Sequence, residues 1–305
     1  MSKIWFDGKL LEWEESRIHV LTHGLHYGTS AWEGIRIYDG KPFMLEAHCL
    51  RLMSSARTIN LSHKYSWEDI AKGCEEVTQI NQLERGYIRP IIWLGSEQTQ
   101  IAGIGCTVHA SVIAWNAFAD RSTFTNQDMA LAGLNMEIAR WRKPGANCVP
   151  PDLKAGGVYM MLSLIKNEAI DKGFDDAIML DQNDLLAEAT TSNIFLIKND
   201  VLYTPAVNGS FLNGITRQII IEIAKANQFD IREIDLSLND LHGADAGFIT
   251  GTSVEITPIA KVYDASLNKH KLLDISHKLI LALRKHYHKL TQGEITMTIN
   301  IKIGE

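Results

Sequence analysis

The chain lacks any long hydrophobic run. Nowhere in its 305 residues does a stretch approach the roughly 18 consecutive apolar residues that a membrane-spanning helix needs. Its first twenty residues, MSKIWFDGKLLEWEESRIHV, alternate apolar and charged side chains, unlike the apolar core of a signal peptide. Basic blocks are missing too, as is any interleaving of aromatics with lysine and arginine. With a formal net charge of −6, the sequence has no electrostatic footprint for nucleic acid. Cysteine is sparse: Cys49, Cys74, Cys106 and Cys148 stand singly, without CxxC spacing. That excludes a disulfide framework and a zinc knuckle and points to a reduced, cytoplasmic compartment. There is no internal repeat and no low-complexity tract. No metal site is expected either, because His19, His23 and His26 (H-x3-H-x2-H) have no carboxylate or cysteine at matching spacing. The segment GIGCTV fails as a dinucleotide motif, since its third glycine is missing and no helix follows.

What is present reads as two domains, which the length allows. Asp7-Gly8 sits between two short β-like runs, a hairpin signal. FMLEAHCLRLMSSARTINL places Leu45, Leu52, Met53, Ala56 and Ile59 at helical spacing. Ser66, with Asp69 at the capping-box position, opens a second helix. GYIRPIIWLG and CTVHASVIAWNAF read as adjacent strands. A small N-terminal α+β domain is therefore predicted over residues 1–120, an interdomain loop over 121–134 and a larger domain over 135–305. In the larger part, GGVYMMLSLIKNEAIDKG is a helix ending at Gly173, and DDAIMLD, NIFLIKND, VLYTP and DIREID are strands. TRQIIIEIAKANQF is a further helix, LNDLHGADAGFITGTS a short helix running into a strand, and a long helix follows near residues 273–290.

Four features carry chemistry. In PPDLKAGGVYMM, Lys154 lies between prolines and a glycine pair, ahead of an apolar helix. A Schiff-base lysine needs partial desolvation, so that its pKa of about 10.4 falls toward neutrality. It also needs room for a flat cofactor ring, which Ala155, Gly156 and Gly157 would leave. Next, LLAEATTSNIFLIK puts Glu188 in a turn before a strand, where it could keep a pyridine nitrogen protonated. Third, FLNGITR opens a helix at Ile215-Thr216, whose first N–H groups can bind an anion. Thr252 and Ser253 offer hydroxyls at a second strand-to-turn site, and Arg51 is a candidate phosphate ligand on the first helix. Fourth, HGLHYGTSAWEGIRIYDG is dense in aromatics and glycines, as the wall of a substrate cleft would be.

The segments HYGTSAWEGIR, YIRP, KAGGVYMMLSLI, AEATTSNIF, LNGITR and GTSVEITP, in order between about residues 4 and 290, resemble the branched-chain amino-acid aminotransferases of the fold-type-IV pyridoxal-phosphate enzymes. The resemblance implies a mixed α/β and α+β two-domain fold, the larger domain having a β-barrel-like core. It implies pyridoxal 5′-phosphate as cofactor and branched-chain L-amino acids, glutamate and their 2-oxo acids as substrates, exchanged in a ping-pong cycle through a Lys154 Schiff base. Lys154 would also shuttle the proton at Cα. Glu188 would pair with the ring nitrogen and Tyr159 with the phenolate oxygen. Arg51, the backbone at Ile215 and Thr216, and Thr252 would hold the phosphate. Tyr87 and the N–H groups of Thr252 and Ser253 would bind the α-carboxylate. Tyr27, Trp32, Gly34 and Trp115 would line the side-chain pocket, Arg36 would fix its wall, and Arg89 would receive a distal carboxylate.

A homo-oligomer, a dimer or a trimer of dimers, is expected, with LGSEQTQIAGIG as the loop reaching the neighbouring copy. Sibling specificities remain open alternatives: D-amino acids, aromatic amino acids, primary amines, or aminodeoxychorismate lysis. Three departures bear on substrate choice. Phe118 stands where the family often has tyrosine, the segment from Trp115 to Lys154 is long, and the C-terminus QGEITMTINIKIGE lacks a tryptophan-bearing ending.

Overall fold

A computed structural model of the chain describes residues 2–61, 64–116, 132–150 and 152–303. Phe118, Pro151 and most of the loop expected at 121–134 lie outside the described residues. Two compact units form, and neither is contiguous in sequence. The first comprises Met1–Phe124, Leu153–Met160 and Lys302–Glu305; the second comprises Thr125–Asp152 and Met161–Ile301.

The first unit is a sheet covered by two helices. Its strands are β1 (Lys3–Phe6), β2 (Lys9–Glu12), β3 (Ser30–Trp32), β4 (Ile35–Tyr38), β5 (Lys41–Pro42), β6 (Gly86–Leu94) and β7 (Val108–Trp115). They are ordered β2-β1-β7-β6-β4-β5, with β3 also on β6. The β1–β2 hairpin turns at Asp7 and Gly8, both at positive φ (47° and 86°), the conformation that an Asp-Gly pair adopts at little cost. Asp7 then ties the hairpin to β7 by accepting from the Ala110 N–H. Helix Leu45–Thr58 and helix Trp67–Ile80 lay their apolar faces on this sheet. Leu52, Ile70 and Val77 there meet Trp5, Ile35, Ile88 and Val112 in one core. The second helix starts with the reciprocal Ser66–Asp69 capping box that its sequence predicts.

The second unit is built on β8 (Leu134–Arg142), β9 (Asp176–Leu180), β10 (Leu186–Ala189), β11 (Asn193–Lys198), β12 (Val201–Pro205), β13 (Ile231–Ile234), β14 (Ala246–Gly251), β15 (Glu255–Asp264) and β16 (Lys269–Leu272). The path β10-β9-β8-β15-β14-β11 returns to its start, because β11 pairs β10 through Glu188↔Asn193. Six strands thus close into a barrel, the expected barrel-like core, and closure removes the exposed edges that an open sheet presents. Its strands are largely apolar, with Met136, Ile178, Leu180, Ile194, Ile249 and Val262 in a shared core. β12, β13 and β16 extend the sheet beyond the ring. Helices Ile215–Ala226, Leu238–His242 and Lys278–Thr291 also fall within this unit. Helix Gly156–Asp171 begins in the first unit and ends in the second. Gly173, at φ 84°, terminates it in the left-handed conformation typical of a residue just past a helix.

Candidate active site

In the first unit, the expected site residues gather around Lys154. The lysine backbone is pinned on both sides: its N–H donates to Ser55 Oγ at 3.1 Å, and its carbonyl accepts from the Trp32 N–H at 3.2 Å. Its Nζ donates to Tyr159 Oη at 2.6 Å and lies 4.2 Å from the centre of the Trp32 ring. Tyr159 lies in the first turn of the helix that opens at Gly156, two residues after Lys154, and its hydroxyl reaches the amine from there. Burial pulls the Lys154 pKa down to about 8, against the raising influence of the Glu33 carboxylate; Arg51 lowers it further. An amine with this pKa is partly deprotonated near neutral pH, as a nucleophile or proton carrier requires.

The glycines after Lys154 have a packing use as well. A Cβ on Gly156 would meet Ser30 Oγ at 2.4 Å, and a Cβ on Gly28 would strike the Gly157 Cα at 2.6 Å. Glycine at 28 and 156 therefore secures the close approach of two chain segments, residues 28–30 and 156–157. Gly28 itself sits at φ 67°, where a side chain is strained.

The aromatic wall is assembled on β3 and β6. Trp32 packs its ring 4.5 Å from that of Tyr159, and Arg89 lays its guanidinium 4.0 Å from the Trp32 centroid. Tyr87 pairs in register with Trp115 on β7 and with Arg36 on β4, and the rings of Tyr87 and Trp115 are 5.3 Å apart. Gly34 has to be glycine beneath Tyr87, because a Cβ there would lie 1.7 Å from the tyrosine Oη. Tyr27 turns to the loop after β6, donating its hydroxyl to the Thr99 carbonyl at 2.8 Å. His23 engages the same loop, with Nδ1 at 2.7 Å from Thr29 Oγ1 and Nε2 at 2.8 Å from the Gln100 carbonyl.

Arg51 has a partner that sequence reading missed. Its Nε and Nη2 donate to the two oxygens of Glu33 at 2.6 and 3.0 Å, and His48 Nδ1 reaches Glu33 at 2.8 Å. All three side chains are buried. Burial alone would raise the Glu33 pKa, but Arg51 and His48 override it and hold the carboxylate well below its usual range. Burial lowers the His48 pKa, so the ring is neutral and donates from Nδ1. The available signal is His48 and Arg51 at i, i+3, which places both on one helix face, but nothing in the sequence says that Glu33 faces them.

In the second unit, Glu188 belongs to strand β10 rather than to the expected turn; it pairs with Met179 and Asn193. Leu186, Ala187, Glu188 and Ala189 are all buried, so no alternation marks the strand. Lys143 places its Nζ 2.8 Å from Glu188 Oε1, and both side chains are almost fully buried, an ion pair that the sequence does not suggest. Helix Ile215–Ala226 begins at Gly214, which offers no side-chain cap to the amides of Ile215 and Thr216. A Cβ at Gly214 would stand 2.2 Å from Asn193 Oδ1. Thr252 and Ser253 lie in the turn between β14 and β15. Beside that turn, Ser192 Oγ is buried without a hydrogen-bond partner among the described residues, 3.4 Å from where a Gly251 Cβ would be.

Residues 30–262 match the family model described as amino-transferase class IV. The chain belongs to the class IV aminotransferases. Among curated relatives, this aminotransferase is 37% identical over 294 residues to a probable branched-chain-amino-acid aminotransferase of Rickettsia bellii, covering 95% of this chain and 96% of the relative. Among solved structures, it aligns with the branched-chain amino acid aminotransferase from Escherichia coli at a TM-score of 0.87 and 32% identity, over 97% of this chain and 96% of the other. A third match is a T.th. branched-chain amino acid aminotransferase complexed with N-(5′-phosphopyridoxyl)-L-glutamate. Its TM-score is 0.87 and its identity 29%, over 96% of this chain and 95% of the other.

Proposed function

We propose that this aminotransferase uses pyridoxal 5′-phosphate to exchange amino groups between branched-chain L-amino acids and 2-oxoglutarate. The observation that carries the reading is the Lys154 amine, lowered to about 8 and held 2.6 Å from Tyr159 inside an aromatic wall. The residues fit the cofactor. A partly deprotonated amine, a buried carboxylate at Glu188, an uncapped helix start at Gly214 and a Ser192 hydroxyl without a partner among the described residues are the donors and acceptors that an aldehyde, a pyridine nitrogen and a phosphate call for.

When bound, pyridoxal phosphate links its aldehyde to an amine and draws electrons from the bonds at Cα. Lys154 is the attachment point and carries the proton to and from the substrate Cα. Tyr159 orients the lysine and donates toward the cofactor oxygen. Glu188, paired with Lys143, accepts the hydrogen bond of the ring nitrogen. For the phosphate, the second unit offers the amides of Ile215 and Thr216 together with Thr252, and the first unit offers Arg51, which Glu33 holds in orientation. For the α-carboxylate, the first unit offers Tyr87 and the second the amides of Thr252 and Ser253. Tyr27, Trp32, Gly34, Arg36 and Trp115 bound the side-chain pocket. Arg89 takes the distal carboxylate of glutamate, in line with its having no ion-pair partner among the described residues.

We also propose a homodimer as the smallest working unit and a cytoplasmic location. Ile101 and Ile104, on the loop fastened to Tyr27 and His23, are 74% and 81% exposed; Val20 and Leu25, close in sequence to those two anchors, are exposed as well. Side chains of this size left open suit a second copy of the chain. No helix among the described residues is long and apolar enough to cross a membrane.

A half-reaction panel tests the reading. L-isoleucine, L-leucine, L-valine and L-glutamate should each convert the cofactor absorbance, whereas D-alanine and an aromatic amine should not. Borohydride reduction followed by peptide mapping should place a pyridoxyl label on Lys154. Conversion by D-alanine or the amine alone would overturn the substrate class, and a label on another lysine would overturn the mechanism.

A further inference from the structure

The geometry points to Trp32 as a specificity-determining residue, which sets the balance between aliphatic and dicarboxylic substrates by the hold of its indole on Arg89. The inference rests on the proposed pocket and goes beyond it, since it concerns what Arg89 does when no distal carboxylate is present.

Three observations carry it. First, Arg89 is half-buried on β6, and its Nε is buried without a hydrogen-bond partner among the described residues. No carboxylate among the described residues forms an ion pair with it. Second, the contacts that its charge does have among the described residues are aromatic: the Trp32 ring at 4.0 Å and, more distantly, the Tyr87 ring at 5.7 Å. Strand register enforces the first. Trp32 pairs with Ile91, which is on the same face of β6 as Arg89, so the indole lies diagonally across from the arginine. Third, the same indole lies 4.2 Å from Lys154 Nζ. It therefore spans the interval between the reacting amine and the arginine, the interval that a substrate side chain has to fill.

These contacts imply a competition. A desolvated guanidinium needs compensation, and an aromatic face supplies it when an aliphatic side chain occupies the pocket. A distal carboxylate offers Arg89 a stronger, bidentate, charge-assisted pair and draws it from the ring. The indole contact is then lost, so its strength counts against dicarboxylates and in favour of aliphatic ligands. Weakening the contact shifts preference toward the dicarboxylate.

The test measures dissociation constants by calorimetry on holoenzyme, with 4-methylpentanoate and glutarate as unreactive probes. Trp32→Leu should weaken 4-methylpentanoate relative to glutarate, moving the ratio of the two constants about tenfold, with Trp32→Phe intermediate. In an Arg89→Met background, Trp32→Leu should leave the ratio where Arg89→Met put it. A Trp32 that serves only as packing would weaken both probes alike; an unmoved ratio with Arg89 intact overturns the inference while leaving the aminotransferase reading in place. A shift that persists without Arg89 also overturns it. Wild-type holoenzyme that binds neither probe overturns the pocket assignment and the inference together.

Discussion

Lys154 and Glu33 act on each other through charge, and the sign of that coupling can be measured. Burial lowers the lysine pKa to about 8, while Glu33 opposes the shift. Because the folded value is below the ordinary lysine value, free amine appears at lower pH than in an exposed lysine. About a tenth of it is free at pH 7 and about nine-tenths at pH 9. The rate at which apo-protein captures pyridoxal phosphate should therefore rise about tenfold across that range, with a midpoint near pH 8. In Glu33→Gln the anion that favours the ammonium is gone, so the midpoint should fall. Stopped-flow absorbance reads both, and a wild-type midpoint near 10, or one that Glu33→Gln leaves in place, contradicts the coupling. Tyr159 is named beside Lys154 by the family resemblance, and the two lie only five residues apart at the opening of one helix. Glu33 has no such signal, because its partners are 15 and 18 residues away on another element. Lys143 and Glu188 are hidden for the same reason, being brought together by the barrel and not by spacing.

At the scale of elements, local signals locate the β1–β2 hairpin, the capped helix and the β6–β7 pair, each of which is decided by neighbours in sequence. Strands fixed by distant partners are harder to see. β8 runs parallel to both β9 and β15, and although LNMEI alternates apolar and polar residues, its burial does not follow, since Glu137 is buried and Ile138 only partly so. Glu188 reads as a turn residue for a similar reason. The contact of Gly28 with Gly157 is another long-range fact, and it sets up an expectation at this scale. Gly28→Ala combines a side chain at φ 67° with a Cβ 2.6 Å from backbone. It should cost about 2 kcal/mol or more and lower Tm by several degrees. It should also slow cofactor capture, because the segment that it displaces is the start of the Lys154 helix. A thermal melt that matches wild type would show that the close approach is not needed.

For the whole molecule, the proposed dimer leads to an expectation that differs from those for the pocket. Ile104→Asp puts a charge on an 81% exposed loop residue, so it should not disturb the folded monomer. If that loop seats on a second copy, the substitution should shift light-scattering mass from dimer toward monomer. Circular dichroism should stay unchanged. A dimer that persists at low micromolar concentration would place the interface elsewhere.

The barrel seam has a consequence of its own. Its closing pair joins Glu188 to Asn193. Asn193 in turn donates to the Leu212 carbonyl at 2.8 Å and backs onto Gly214, where the anion-receptive helix begins. The stitch that shuts the ring is thus tethered at one end to the carboxylate proposed for the ring nitrogen and at the other to the loop proposed for the phosphate. A cofactor bound at both ends would splint a joint whose register is one residue pair, so loading pyridoxal phosphate should tighten the hoop as well as fill the pocket.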